Sequence, residues 1–342
     1  LTGWVLYASM GVDAADFWAQ YDHMYIPELG HNVSVTDYAH TLYIRASWTE
    51  FNPQEDVYGW KIDSNLRAYI EGAYQRNMRL AFRVVVDSRD KRTEFTPQFV
   101  KDAGAKGFMN KGKWSPYSDD PVFQKYYTKF VKALAKDFND PSKVEFIDGF
   151  GLGKWGEYHT MIYSTGDDTP KKAVFDWVTD IYSQAFDKVP VVINYHRWIG
   201  AGKDWVDDEH FAADSEEMLE EAIKKGYSLR HDAFGMTTYY GSWERRFAKK
   251  YRNICPIIME GGWIVKSHSY WQDPRGYRKD SHEDVRRGEF DDSKEAHVNM
   301  MDFRFGDTES WFKDAFDLVR RFLREGEYRL CLLYTSPSPR DT

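Results

Sequence analysis

The stretch Pro170-Lys171-Lys172-Ala173-Val174-Phe175-Asp176-Trp177-Val178-Thr179-Asp180-Ile181-Tyr182-Ser183-Gln184-Ala185 is followed closely by the apolar run Val189-Pro190-Val191-Val192-Ile193-Asn194. Val174, Trp177, Val178, Ile181, Tyr182 and Ala185 recur at the spacing of one helical face, with Pro170 at a plausible first turn. The run after them reads as a strand, so the pair is one unit of alternating helix and strand. Working outward, Val122, Tyr126, Tyr127, Phe130, Val131, Leu134 and Phe138 repeat the helical period, as do Ile62, Leu66, Tyr69, Ile70 and Ala73. A last helix is expected over about 311–325, stopped by Gly326. Strands are expected at 3–8, 41–46, 79–86, 145–151, 189–194, 228–238, 256–260 and 297–304. Alternation over the whole length argues for a parallel α/β architecture, and eight strands is the number of a (β/α)8 TIM barrel. Residues 87–116, 195–215 and 261–292 are long connections, all leaving the strand ends that form the catalytic face of such a barrel.

The bulk composition narrows the field. A chain of 342 residues suits one large domain, and no apolar run approaches a membrane span. A net charge of −8 argues against a nucleic-acid partner. The aromatic content of 17%, with 13 Trp and 23 Tyr, exceeds what a core needs and suits a cleft that stacks on sugar rings. Cys255 and Cys331 supply no disulfide framework. The chain opens at Leu1 without Met, as a processed form or fragment does, and carries no signal that gives its compartment. Residues 331–342 look like a translated sequencing adaptor. They are set aside from the fold, leaving 1–330 as the expected barrel domain.

Two segments carry the chemistry. Gly151-Leu152-Gly153-Lys154-Trp155-Gly156-Glu157-Tyr158-His159 and Pro256-Ile257-Ile258-Met259-Glu260-Gly261-Gly262-Trp263 each set a glutamate behind a β-type apolar run, among glycines and tryptophan. Their separation, 260 − 157 = 103 residues, excludes a local helical pair. A large closed fold can bring the two carboxylates together. Glycoside hydrolysis needs such a pair, one protonating the leaving oxygen and the other attacking or activating water. Glu157 and Glu260 are therefore the expected catalytic residues, at the ends of the fourth and seventh strands.

The segment Ile44-Arg45-Ala46-Ser47-Trp48-Thr49-Glu50-Phe51-Asn52-Pro53, continuing through Tyr58-Gly59-Trp60-Lys61-Ile62-Asp63, resembles the second strand and following loop of retaining clan A glycoside hydrolases, especially β-galactosidase family 42. Asn52 replaces the usual Glu before Pro53. The resemblance implies a retaining mechanism on a β-galactoside or related β-glycan, with Glu157 as acid/base and Glu260 as nucleophile. The clan places Asn before its acid/base to hold the sugar 2-hydroxyl, whereas Gly156 stands here, and Asn194 is a candidate replacement. Gly153–His159, Leu229-Arg230-His231-Asp232 and Glu327-Tyr328-Arg329-Leu330 also resemble a poorly characterised barrel branch with a β-sandwich after the barrel. That resemblance implies that the natural chain continues beyond Leu330.

Other residues are expected around these two. Arg45 and Arg83 lie inside apolar strands, where an arginine needs a carboxylate partner. Arg45 is expected to hold Glu260 ionised, and Asp87 either partners Arg83 or binds sugar hydroxyls. His159 and His231 are candidate substrate contacts. Tyr239 or Tyr240 matches the clan tyrosine that is hydrogen-bonded to the nucleophile. Trp48, Trp155 and Trp263 are the expected sugar platforms. Glu157 is expected to stay protonated near neutrality, helped by burial and Trp155. No metal-ligand spacing, Gly-x-Ser-x-Gly elbow or dinucleotide fingerprint occurs, so no cofactor or metal is expected. The expected partner is an oligo- or polysaccharide, with no nucleic acid and no membrane. A carbohydrate-binding barrel without turnover is the alternative.

Overall fold

A computed structural model describes residues 1–87, 93–203, 209–234, 239–262, 282–304 and 306–326. Eight parallel strands close into a barrel. They are β1 (Gly3–Tyr7), β2 (Ala39–Ser47), β3 (Arg79–Val85), β4 (Val144–Asp148), β5 (Val191–Asn194), β6 (Ser228–Phe234), β7 (Ile257–Gly261) and β8 (Met300–Asp302), with β8 pairing back onto β1. Each expected strand is present. The fourth stops at Asp148 rather than 151, and the eighth is confined to Met300–Asp302.

Helices α1 (Ala14–Asp22), α2 (Ser64–Gln75), α3 (Pro121–Phe138), α4 (Lys171–Ala185), α5 (Glu209–Lys224), α6 (Ser242–Tyr251) and α7 (His282–Glu295) follow strands β1 to β7 in turn. The last layer, expected as one helix, is broken at Ala315 into α8 (Thr308–Asp314) and α9 (Phe316–Arg321). Local chemistry sets the starts. Asp63 accepts from the Leu66 N–H at 2.7 Å, and Asp120 accepts from the Phe123 N–H at 2.8 Å ahead of Pro121. The connection after β3 is not structureless: it holds a short helix, Gln98–Asp102, and a hairpin pairing Gly107–Asn110 with Lys113–Pro116.

The barrel strands alternate between two cores. Inside lie Val5, Tyr7, Tyr43, Ala81, Phe146, Val192, Ile258 and Met300, one apolar cluster that fills the barrel interior. Outside, a larger apolar layer joins strands to helices. Trp48 belongs to that outer layer. It opens a single helical turn, Trp48–Phe51, capped by Ser47 and Glu50, which swings its ring toward α3. There it is fully buried, edge-on to Phe123 and Tyr127 with centroids 6.0 and 5.2 Å away. The expectation of a sugar platform at Trp48 is corrected: the ring faces away from the barrel mouth.

Trp263 and residues 327–342, including the adaptor-like tail and Cys331, lie outside the described residues. No helix among the described residues is long and apolar enough to cross a membrane.

Candidate active site

The inward positions that continue past the apolar layer toward the strand ends are polar. Register pairs Arg45 with Arg83, Arg83 with Asp148, Arg230 with Asn194, and Glu260 with Asp302. The barrel mouth is therefore floored by charge, although its walls are apolar. All of these side chains except Arg45 are buried.

Two fully buried guanidiniums organise this floor. Arg83 donates through Nε to Asp148 Oδ2 at 2.6 Å and through Nη1 to Asp232 Oδ2 at 2.5 Å. Arg230 donates through Nε to Asp232 Oδ1 at 2.8 Å, and through Nη2 to Glu260 Oε2 at 2.6 Å and Asp302 Oδ2 at 3.2 Å. The Tyr43 ring lies 4.5 Å from the Arg230 guanidinium carbon, and its hydroxyl donates to Asp148 at 3.1 Å. Such burial is tolerable because every ion is paired; removing one partner leaves a charge stranded.

The carboxylates Asp148, Asp232, Glu260 and Asp302 outnumber these two arginines, so the cluster retains protons. Burial, reinforced by the Asp232 charge and opposed by Arg230, pushes Glu260 up to about 8. Burial likewise pushes Asp302 up to about 6 against the pull of Arg230, and raises Asp148. For Asp232 burial also acts upward, but Arg83 and Arg230 together overcome it and hold the group well below the usual carboxylate range. The groups titrate as a unit.

Glu260 ends its strand at the barrel mouth, where the sequence reading puts it. Glu157 does not. Strand β4 ends at Asp148, and Glu157 follows on a looped segment held by unusual backbone conformations. Trp155, Tyr158 and Thr160 have φ of 59°, 61° and 51°, as do Gly151, Gly153 and Gly156 at 73–74°. A Cβ on Gly151 would meet the Val84 carbonyl oxygen at 2.1 Å, so only glycine fits this approach. His196 fastens the loop. Its Nδ1 accepts from the Trp198 N–H at 3.1 Å, which leaves Nε2 to donate to the Glu157 carbonyl at 2.6 Å. Burial, with His159 next in effect, holds His196 well below its ordinary value, and hence neutral.

The loop returns the Glu157 carboxylate to the charged floor. Tyr239 donates to its Oε2 at 3.0 Å, His159 Nε2 lies 3.5 Å from the same oxygen, and Arg83 Nη1 lies 3.8 Å from Oε1. Arg83 thus touches Glu157's side of the mouth while Arg230 grips Glu260 on the other. Trp155, half-buried, sits edge-on to His159 with centroids 5.7 Å apart. The Lys154 ammonium lies 4.2 Å from the Trp155 ring centroid.

Several expected roles change. Arg45 donates to Tyr7 Oη at 3.2 Å and to the Trp155 carbonyl at 2.7 Å, so it pins the Glu157 loop; the guanidinium on Glu260 is Arg230. The tyrosine donor from beyond β6 is Tyr239, and it reaches Glu157 rather than Glu260. Tyr240 packs edge-on against His231 and Phe234. His231 alternates with Arg230 and Asp232 on β6, which turns it outward beneath Tyr195 and Tyr240, and burial drives it down to about 3. It is removed from the mouth. Asn194 donates to Tyr239 Oη at 3.3 Å and accepts from the Asp232 N–H at 3.3 Å, which commits it to protein contacts. Arg83 is partnered by Asp148 and Asp232, while Asp87 accepts from Ser115 Oγ at 3.4 Å in the β3 connection. Burial raises the proton affinity of Glu260, the expected nucleophile. Sequence reasoning missed Arg230, Asp148 and Asp302. Each is a polar residue at an inward position of an apolar strand, a signal available once strand parity is fixed.

Among the described residues no group of three or more His, Cys, Asp or Glu side chains is arranged to hold a metal ion.

No protein-family model and no curated protein sequence matches the chain. Solved structures do. The catalytic domain of a β-amylase from Paenibacillus polymyxa superimposes with a TM-score of 0.56 at 8% identity, covering 96% of this chain and 99% of that one. Endo-glycoceramidase II from Rhodococcus sp., solved as a lactosyl-enzyme intermediate, gives 0.53 at 12% identity, covering 93% and 78%. An exo-β-1,4-mannosidase from Opitutaceae bacterium strain TAV5 gives 0.51 at 12% identity, covering 96% and 56%. At such identities the likeness carries the fold, a (β/α)8 barrel spanning nearly the whole chain.

Proposed function

We propose that the chain is a retaining glycoside hydrolase acting on a β-glycosidic bond, with a β-galactoside or related β-glycan as substrate. The observation that carries this reading is the convergence of two buried glutamates from opposite sides of one barrel mouth onto a shared arginine–aspartate floor. Glu157 protonates the departing oxygen while Glu260 attacks the anomeric carbon, forming a glycosyl-enzyme ester. Glu157 then takes a proton from water, which attacks the same carbon and releases Glu260. Trp155 supplies the stacking face beside the acid. The solved barrel that holds a lactosyl-enzyme intermediate supports a covalent route on this scaffold.

A second reading exchanges the two roles. It is favoured by the Tyr239 hydrogen bond to Glu157 and by the raised proton affinity of Glu260, the profile of an acid. The test of activity is a panel of chromogenic β-glycosides and β-glycans, assayed with the unaltered protein and with Glu157→Gln and Glu260→Gln. Hydrolysis lost in both variants supports the reading; sugar binding without hydrolysis by the unaltered protein supports a carbohydrate-binding barrel instead.

A further inference from the structure

The two glutamates are joined by an unbroken chain of buried ions. From Glu157 it runs 3.8 Å to Arg83 Nη1, 2.5 Å from that atom to Asp232 Oδ2, 2.8 Å from Asp232 Oδ1 to Arg230 Nε, and 2.6 Å from Arg230 Nη2 to Glu260. Asp232 is its centre. Each carboxylate oxygen is taken by a different arginine, so one side chain fixes both guanidinium planes, and its backbone N–H is tied to Asn194 at 3.3 Å. Arg83 faces it from β3, Asp148 from β4, Arg230 along its own strand, Glu260 from β7 and Asp302 from β8. Arg45 and Tyr239 lie further out.

We infer that Asp232 is a positioning residue that couples the ionisation of Glu157 to that of Glu260 through Arg83 and Arg230. The inference rests on the two-glutamate reading above. Its physical basis is a shared counter-charge: the positive charge that Asp232 neutralises is charge that Arg83 and Arg230 cannot lend to the glutamates. When Glu157 changes charge, Arg83 redistributes between Glu157 and Asp232, and Arg230 answers at Glu260. In a double displacement such coupling lets the loss of one proton prepare the opposite group.

The experiment follows the Glu260 carboxyl by 13C NMR in protein labelled at glutamate, with the resonance assigned by its loss in Glu260→Gln. Asp232→Asn should lower the pH at which Glu260 titrates by at least one unit, a tenfold fall in proton affinity. Glu157→Gln should also shift the Glu260 titration in the unaltered background, and that shift should fall by half or more when Asp232→Asn is combined with it. Far-UV circular dichroism reports whether each variant folds. Should Asp232→Asn not fold, Arg83→Lys serves instead, because it weakens the same link from the Glu157 side and should likewise reduce the shift. An unchanged Glu260 titration in folded Asp232→Asn, or an equal shift from Glu157→Gln with and without the link, would overturn the inference. The readout needs no turnover. Coupling without hydrolysis of any glycoside would leave this inference standing and sink the proposed function; hydrolysis without coupling would do the reverse.

Discussion

Arg230 Nη2 lies 2.6 Å from Glu260 Oε2 and 3.2 Å from Asp302 Oδ2, so one guanidinium nitrogen serves two carboxylates from neighbouring strands. Among the described residues the other cation near Glu260 is Arg304, whose Nε stands 3.9 Å away. At pH 7 Arg230→Met should therefore leave Asp302 and one oxygen of Asp232 without their cation in the barrel and cost about 3–5 kcal/mol of stability, read as a lower urea midpoint. A midpoint unchanged to within experimental error would mean that the pair contributes little.

The raised Glu260 makes stability depend on pH with a definite sign. Between its ordinary value near 4.5 and its folded value near 8 the native protein holds a proton that the unfolded chain has released. Stability should then fall as pH rises through that window, and Asp302 acts in the same direction between about 4 and 6. His231 opposes it at the acid end, since it stays neutral in the fold down to about 3 and protonates near 6.5 when unfolded. Above the histidine range Glu260 acts alone among these groups, so melting temperature should decline from about pH 6.5 toward pH 8. Glu260→Gln should flatten the decline. In the proposed reaction kcat/KM should climb with pH through the same region, because the attacking form of Glu260 is the carboxylate.

Tyr239→Phe deletes the hydroxyl that donates to Glu157 and accepts from Asn194. The expected cost in stability is about 0.5–1.5 kcal/mol, by chemical denaturation. In turnover the loss should fall on kcat more than on KM, since the bond sets the position of Glu157 rather than the fit of the sugar.

Gly151→Ala tests the loop that presents Glu157. Its φ of 74° and the 2.1 Å approach to Val84 O leave no room for a methyl group without moving the backbone. Stability should fall by roughly 1–3 kcal/mol, and activity should fall with it as Glu157 is displaced. An active variant of unchanged stability would mean that the loop yields cheaply.

The barrel is legible in the sequence because its strands are apolar on both faces and its helices carry a clean 3.6-residue period. Val174 to Ala185 is one such face, and its Val174, Val178 and Tyr182 are buried in the outer core with no special chemistry. Glu260 is legible for a related reason: a charge that ends a buried run must sit where the barrel opens. What escapes is decided by geometry that spacing does not record. Arg230 and His231 are adjacent, yet parity alone sends one into the charged floor and the other beneath Tyr195 and Tyr240. Trp48 follows the second strand directly, but one capped helical turn rotates it to the outer core. Glu157 reaches the mouth past left-handed residues at Gly151, Gly153, Trp155 and Gly156, so its distance from Asp148 along the chain gives no hint of where the carboxylate lands.

The central claim is that Glu157 and Glu260 divide a double displacement, and the stereochemistry of azide rescue tests it most directly. An activated β-glycoside with a 2,4-dinitrophenyl leaving group is offered to Glu157→Ala and Glu260→Ala with added azide, and the glycosyl azides are assigned by 1H NMR. Glu157→Ala still forms the glycosyl-enzyme, because so good a leaving group needs little protonation, and azide should then give the β-glycosyl azide with configuration retained. Glu260→Ala forms no covalent intermediate and should give only the inverted α-glycosyl azide. Exchange of the two products between the variants would contradict the assignment of roles, and no azide product or rate response from either variant would contradict the two-glutamate mechanism itself.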